Sequence, residues 1–379
     1  MSLLVVGSIA LDSVETPFGR TENALGGSAV YFAAAGSLVH PVQLVGVVGR
    51  DYPMGELKRL ERRGLDLRGV TVADGESFRW AGKYGFDLQT RETLETRLGV
   101  FANFKPVIPE PFRDAEFVFL GNIDPELQLQ VLEQVRRPKL VACDTMNYWI
   151  QGKRTPLLKL LEQVDVLLVN DSEVRELSGD WHIHRAARWV LERGPKFVVV
   201  KKGEHGAGLV EKDRIFYVPA FPLDDVFDPT GAGDAFAGGF MAHLARTADL
   251  SDANLRVAMV YGSAMGSFAV ERFSIGRFEE ITAADVIARV RAHRDLVHTV
   301  SCYRNESVIV DARGIDGRGI DALAQRKPAR RPGGMTQPAA VVVGSIGTDA
   351  EHDHGHAHEH GDHQDHAHPH THDPRKNRF

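Results

Sequence analysis

Asp228-Pro229-Thr230-Gly231-Ala232-Gly233-Asp234-Ala235-Phe236-Ala237-Gly238-Gly239-Phe240 is the stretch on which the reading of this chain turns. A Pro-Thr-Gly turn ends an extended run, and two glycines flank a single alanine. Asp234 then opens a segment with apolar residues at Phe236, Phe240 and Leu244, a helical spacing. Glycines allow a turn whose N–H groups converge, and a helix start adds unpaired N–H groups and the positive end of a dipole. Together they form an anion cradle. A carboxylate beside such a cradle repels the bound anion unless it faces a hydroxyl that loses its proton as a phosphoryl group arrives. The competing reading is a glycine-rich loop that closes an αβ unit, with Asp234 stabilising the helix start.

The stretch resembles the C-terminal signature of the ribokinase-like (PfkB) sugar and nucleoside kinases. The resemblance implies an α/β ribokinase-like fold: a mostly parallel central sheet with helices on both faces and a small β-lid. It implies that Asp234 is the catalytic base and that the amides of Gly231, Ala232 and Gly233 stabilise charge on the phosphoryl oxygens. Asp228 is implied in a monovalent-cation (K⁺) site, as in some members.

Upstream, Asn170-Asp171-Ser172-Glu173 sits where an apolar run ends. It reads either as an N-cap with a first-turn glutamate or as a phosphate and metal contact. It resembles the family's Asn-x-x-Glu motif, which implies that Glu173 holds Mg²⁺ through water and Asn170 meets a phosphate. Phe197 to Val200 reads as a buried strand that runs into Lys201-Lys202-Gly203-Glu204-His205-Gly206. Charges at such a strand end need solvent or phosphate, and a period of two puts Lys201 and Lys202 on opposite faces. Family members contact the nucleotide from this turn, which implicates Lys201 or Lys202 with Gly203 and Gly206. Downstream, Tyr261-Gly262-Ser263-Ala264 lies in a helical run of small residues. These either leave room for an adenine ring, with Ser263 beside it, or allow tight helix packing.

The N-terminal end fits the same scheme. Leu3 to Val6 is a short apolar run, followed by Gly7 and Asp12. In open α/β sheets ligands sit beyond the carboxyl ends of strands. Asp12 reads as a turn residue or a hydroxyl ligand, and the resemblance implies the latter. Gly26-Gly27 looks like the family's first signature, where the backbone approaches substrate. Many sugar kinases of the family carry Asn five residues after the first of these glycines, whereas Tyr31 stands here. That departure weighs against a plain hexose or ribose, and Tyr31 is left as core or as a ring for stacking on a base. Phe78, Trp80, Gly82, Tyr84 and Phe86 alternate with Arg79, Ala81, Lys83 and Gly85, a strand of period two. With a β-prone run over Thr93 to Phe101 and the 12–25 region, it predicts a lid over about 12–25 and 78–104. The family's lids cover substrate and often mediate dimers.

Elsewhere apolar runs stop at polar residues and alternate with helical patterns, as at Asn122, Asp144 and Asn170, which predicts a mostly parallel sheet. Of 379 residues, 43% are hydrophobic and 25% charged, and the net charge is −6. This composition suits a globular enzyme and gives no reason to expect nucleic acid. Cys143 and Cys302 are too few for a disulfide framework. No run approaches the roughly 20 apolar residues of a membrane span, and the first residues lack a signal peptide's basic region. A cytoplasmic protein is expected. The kinase region is expected over 1–305, with a disordered tail over 306–379. Ten of the 17 histidines fall between His352 and His372. Alternating imidazoles of this kind either collect transition metals or only solvate the tail.

The expected activity is transfer of the ATP γ-phosphoryl group, with Mg²⁺, to a sugar hydroxyl. A nucleoside acceptor and a non-catalytic binding module on the same fold are the alternatives. A nucleotide-dependent dehydrogenase is disfavoured because Gly7-Ser8-Ile9 lacks the Gly-x-Gly-x-x-Gly pattern.

Overall fold

The computed structural model describes residues 1–297, 310–311 and 314–315. The chain begins with β1 (Leu3–Val6), β2 (Ala10–Thr16), β3 (Gly19–Gly26), α1 (Ser28–Gly36), β4 (Val42–Gly49), α2 (Met54–Lys58) and β5 (Leu65–Ala73). It continues through β6 (Phe78–Tyr84), β7 (Arg91–Arg97), β8 (Phe117–Leu120), α3 (Pro125–Leu132), β9 (Leu140–Asp144), α4 (Asn147–Gly152) and α5 (Arg154–Leu161). Then come β10 (Val166–Asn170), α6 (Asp171–Ser178), α7 (Ile183–Leu191), β11 (Phe197–Lys201), β12 (Ala207–Val210) and β13 (Ile215–Val218). Four helices follow: α8 (Ala232–Thr247), α9 (Asp252–Ala269), α10 (Gly276–Glu280) and α11 (Ala283–Val297).

Nine strands form the main sheet in the order β13-β12-β11-β10-β9-β8-β1-β4-β5. All neighbours from β5 to β11 are parallel, and the β11/β12 and β12/β13 pairs are antiparallel. The apolar run Leu3 to Val6 is a strand because both of its faces are covered. Leu3 and Val5 join the core shared with α1, α8 and α9, whereas Leu4 and Val6 join the core under α3, α5, α6 and α7. That is why the parallel strands read as continuous rather than alternating hydrophobic segments. The strand order reverses at β1/β8, so the carboxyl ends near Gly7 and Gly121 flank the crevice where ligands bind in open α/β sheets.

The small residues of the late helices serve packing. A Cβ on Gly239 would lie 2.6 Å from the Tyr261 carbonyl of α9, and one on Gly262 would lie 2.8 Å from the Phe236 ring. The α8 and α9 backbones therefore approach more closely than larger residues would allow.

The second sheet has the order β3-β2-β6-β7. It spans residues 10–26 and 78–97, where a lid was expected over about 12–25 and 78–104. The strand expected over 93–101 runs instead from Arg91 to Arg97 and gives way to a 3₁₀ turn at Gly99–Asn103. Gly99 has a φ of 51°, which no extended strand accommodates. Contacts divide the chain between Glu306 and Ser307. In the second unit, Val310–Asp311 pairs antiparallel with Gly314–Ile315, and the rest of the tail expected to be disordered lies outside the described residues. The histidine-rich stretch lies outside the described residues.

Candidate active site

The signature forms the turn and helix start that its sequence predicts. Gly231 is the N-cap of α8 with a φ of 73°, a left-handed conformation that favours glycine. A Cβ there would also fall inside the Tyr31 ring, which lies directly beneath. Tyr31 is buried, with 1% of its surface exposed, so it supports this loop and offers no face to a ligand. The Ala232 N–H donates to the Pro229 carbonyl at 3.3 Å, whereas no such bond is made by Gly231 or Gly233 among the described residues. This corrects the expectation of three free amides. The Pro229–Ala232 turn takes up the middle one, leaving Gly231 and Gly233.

Asp234 follows on the first turn of α8, near a buried ion pair. Lys201, at the end of β11, donates from Nζ to Asp144 Oδ2 at the end of β9, 2.8 Å away. A Cβ on Gly233 would stand 2.9 Å from the same Nζ, so the ammonium lies against the cradle. Lys202 points the other way, its Nζ 5.5 Å from the centre of the Tyr217 ring. Of the two lysines, Lys201 is the one in the site. Gly203 and Gly206 bracket the turn that follows, and Gly206 accepts a 2.8 Å bond from the Lys202 N–H through its carbonyl.

Asn170 ends β10 between the strands that carry Asp144 and Lys201, and it pairs in register with Lys201. It forms a reciprocal capping box with Glu173. Asn170 Oδ1 accepts from the Glu173 N–H at 2.8 Å, and Glu173 Oε2 accepts from the Asn170 N–H at 2.7 Å. The capping reading of Asn-x-x-Glu is thus realised. It still leaves the Asn170 amide nitrogen without a partner among the described residues and one Glu173 oxygen outside the box.

The electrostatics of the cluster follow from crowding. Part of Asp234 meets solvent, but protein surrounds it on most sides. Burial first, and then the charge of Asp144, raise its carboxyl to about 7 against the opposing pull of Lys201. Burial and Asp144 likewise bring Glu173 to about 7, opposed by Lys201, the Asn170 N–H and Arg91 of the lid. Burial alone would drive Lys201 toward neutrality. Asp144, Glu173 and Asp234 outweigh it and hold the ammonium above its ordinary value. One cation among three carboxylates leaves a site that calls for further positive charge.

Asp12, on β2, marks the other side. Its carboxylate packs where a Cβ on Gly26 would sit and accepts a long 3.4 Å bond from the Gly27 N–H. Gly27 has a φ of 91°, and a Cβ there would lie 2.5 Å from the Ser8 carbonyl. Burial raises Asp12 to about 7, relieved by the Gly27 N–H and reinforced by Asp228. Two contacts tie the lid to the signature: Thr16 Oγ1 donates to the Phe227 carbonyl at 2.8 Å, and Thr230 Oγ1 donates to the Tyr84 hydroxyl at 3.3 Å. Asp228 is fully buried. Its Oδ1 accepts from the Thr230 N–H at 2.8 Å, while Oδ2 has no partner among the described residues. Such an orphaned carboxylate oxygen fits a cation ligand.

Ser263 is not brought to this cluster with a free hydroxyl. Its Oγ donates to the Pro219 carbonyl at 3.0 Å and lies 3.1 Å from His293 Nε2. Asp144 was missed as a site residue, although its signal was visible as an acidic residue at a strand end. Arg91 and the Tyr84–Thr230 contact left no comparable signal.

The family described as pfkB family carbohydrate kinase matches residues 2–281. A cytidine kinase of Thermococcus kodakarensis is 31% identical over 258 residues, covering 66% of this chain and 91% of that protein. A nucleoside kinase of Methanothermobacter thermautotrophicus is 29% identical over 289 residues, covering 71% and 89%. Among solved structures, a ribokinase II from E. coli in complex with ATP and Mg²⁺ superposes with a TM-score of 0.63 at 22% identity, covering 77% of this chain and 99% of that one. At that identity the last likeness concerns the fold. Sequence match, sheet topology and signature agree, and the chain belongs to the pfkB family of carbohydrate kinases, a phosphotransferase with the ribokinase-like fold.

Proposed function

We propose that the protein transfers the γ-phosphoryl group of ATP to a hydroxyl of a nucleoside. The observation that carries this reading is the meeting of Asp234 with Lys201 against the Gly231–Gly233 cradle. A base, a cation and phosphate-binding amides are there within reach of one reacting group. Asp234 accepts the hydroxyl proton as the acceptor oxygen bonds to the γ-phosphorus and the bond to the bridging oxygen breaks, releasing ADP. The Gly231 and Gly233 amides stabilise charge on the phosphoryl oxygens. Lys201, the Asn170 amide and the turn from Lys202 through Gly203 to Gly206 hold the phosphates. Glu173 holds hydrated Mg²⁺, which neutralises phosphate charge when bound. Asp228 holds a monovalent cation through its orphaned oxygen. Asp12, Gly26 and Gly27 take the acceptor's hydroxyls.

Relatives named cytidine kinase and nucleoside kinase support a nucleoside ahead of the free sugar put first on sequence alone. The kinase region ends near residue 305, and the enzyme works in the cytoplasm. Among the described residues no helix is long and apolar enough to cross a membrane. A homodimer through the lid is supported by β7, exposed along its whole length, with Leu94 55% accessible in it and Leu98 45% just beyond its end. ADP release from ATP and Mg²⁺, measured against a panel of nucleosides and sugars, tests the assignment. Turnover with a nucleoside, lost in Asp234→Asn, supports it, and turnover with sugars alone overturns the acceptor.

A further inference from the structure

The lid carries a side chain that the proposed chemistry does not use. On β2 and β6, Asp12 pairs with Trp80 in parallel register, which places both on the same face of the sheet. Thr16 and Tyr84 share that face and reach Phe227 and Thr230, so it is the face turned to the signature. The Trp80 indole lies along it toward Gly82, its six-membered ring where a Cβ on Gly82 would be. Glycine at 82 thus lets a large aromatic plane lie flat between Asp12 and Tyr84. At about 3.3 Å of rise per residue, Trp80 and Tyr84 stand about 13 Å apart along the strand. Trp80 is only partly buried and makes no hydrogen bond among the described residues.

One more group borders this plane. Arg91 is the register partner of Tyr84, and its guanidinium carbon lies 5.4 Å from the centre of the Trp80 ring. That is wider than the roughly 3.5–4 Å of a direct stack and narrower than the two such contacts needed around a planar ring. Arg91 is exposed, so solvent rather than packed side chains borders the outer side of its guanidinium. Tyr31, the other aromatic singled out in the sequence, is sealed beneath Gly231 and cannot serve.

We propose that Trp80 is the stacking wall for the acceptor's planar base, with Arg91 closing on the opposite face. This rests on the nucleoside reading and deepens it. Asp12 and the paired glycines take the sugar, whereas the indole takes the heteroaromatic ring, so the lid face discriminates a nucleoside from a free pentose. Stacking on an aromatic side chain tolerates any base, because every base offers a π face.

The test is calorimetric binding of cytidine, uridine, adenosine and inosine to the full chain, with tryptophan emission followed in parallel. Trp80→Ala is expected to weaken the nucleoside by about ten- to a hundredfold, with Trp80→Phe recovering most of it. Nucleoside is expected to quench wild-type emission, and that quench is expected to vanish in Trp80→Phe while binding persists. Affinity in Trp80→Ala within twofold of wild type, or an unchanged quench in Trp80→Phe, overturns the stacking role alone. Wild-type protein that phosphorylates free sugars and binds no nucleoside overturns the acceptor assignment, and the stacking role falls with it. An ATP analogue that binds equally to wild type and variants shows that the variants are folded.

Discussion

Lys201 Nζ donates to Asp144 Oδ2 across 2.8 Å, and this one bond joins the ends of β11 and β9 over the intervening β10. Only 16% and 7% of the two side chains are accessible. Removing one partner of a largely buried pair leaves the other uncompensated, at a cost of about 3–5 kcal/mol. Lys201→Met is therefore expected to destabilise the apo protein on that scale. Adding Asp144→Asn should recover a large part of the loss, which denaturant unfolding of the double-mutant cycle measures.

Asp234→Asn should bind ATP as wild type does and lose turnover by about 10²–10⁴-fold, the usual range for a general base. Calorimetry with a non-hydrolysable ATP analogue and a coupled ADP assay separate the two effects. Near-normal turnover would remove Asp234 from the role of base.

The same residue sets a pH dependence. Asp234 stands at about 7 in the fold against an ordinary value of 3.8. Between those values the folded chain holds a proton that the unfolded chain has released. Stability from this group is therefore present at low pH and lost as pH rises toward 7. Asparagine stays neutral throughout. Asp234→Asn is thus expected to raise the apo melting temperature most at pH 8, by less than half as much at pH 5, and little at pH 3. His243 and His293, which burial holds below their ordinary value, titrate in both proteins and cancel in the comparison.

Catalysis should follow the opposite course, because the base must be ionised. kcat/KM is expected to rise with pH through an apparent pKa of about 7, a limb that Glu173 and Asp12 share with Asp234, and to level off above it. An acid limb near 4 would mean that Asp234 is not the group being read.

Gly231 and Tyr31 make a pair with contrasting outcomes. Gly231→Ala forces a Cβ into the Tyr31 ring at a φ of 73°, and turnover is expected to collapse. The Tyr31 hydroxyl is buried without a partner among the described residues, so Tyr31→Phe should keep activity. It should leave stability unchanged or raise it by up to about 1–3 kcal/mol, the cost of an unsatisfied buried group. Thermal melts and the coupled assay check both variants.

What the sequence disclosed follows from range. Strand ends such as Asn170 and the turn at Gly231 are set by neighbours along the chain, so period and glycine chemistry located them. Lys201 and Lys202 were indistinguishable, because only the pairing of β11 with β10 decides which one faces Asn170. Asp144 was seen as a strand end but not as a partner, since its meeting with Lys201 is made by the sheet. Ser263 was read from a stretch of small residues whose local pattern contains neither Pro219 nor His293. The lid strand β7 was misjudged at both ends because its residues are all exposed, and no hydrophobic alternation marks its limits.

β2 leaves the end of β1 and β3 returns directly into α1, so Asp12, Gly26 and Gly27 sit where the second sheet joins the main one. On the proposed function, the strands that recognise the acceptor are the same strands that cover it. The proposed base, the neighbouring lysine and the phosphate cradle belong instead to the main sheet's strand ends and the start of α8. Selection can thus retune what the enzyme phosphorylates by drift in two short strand pairs, while the machinery that moves the phosphate is inherited intact.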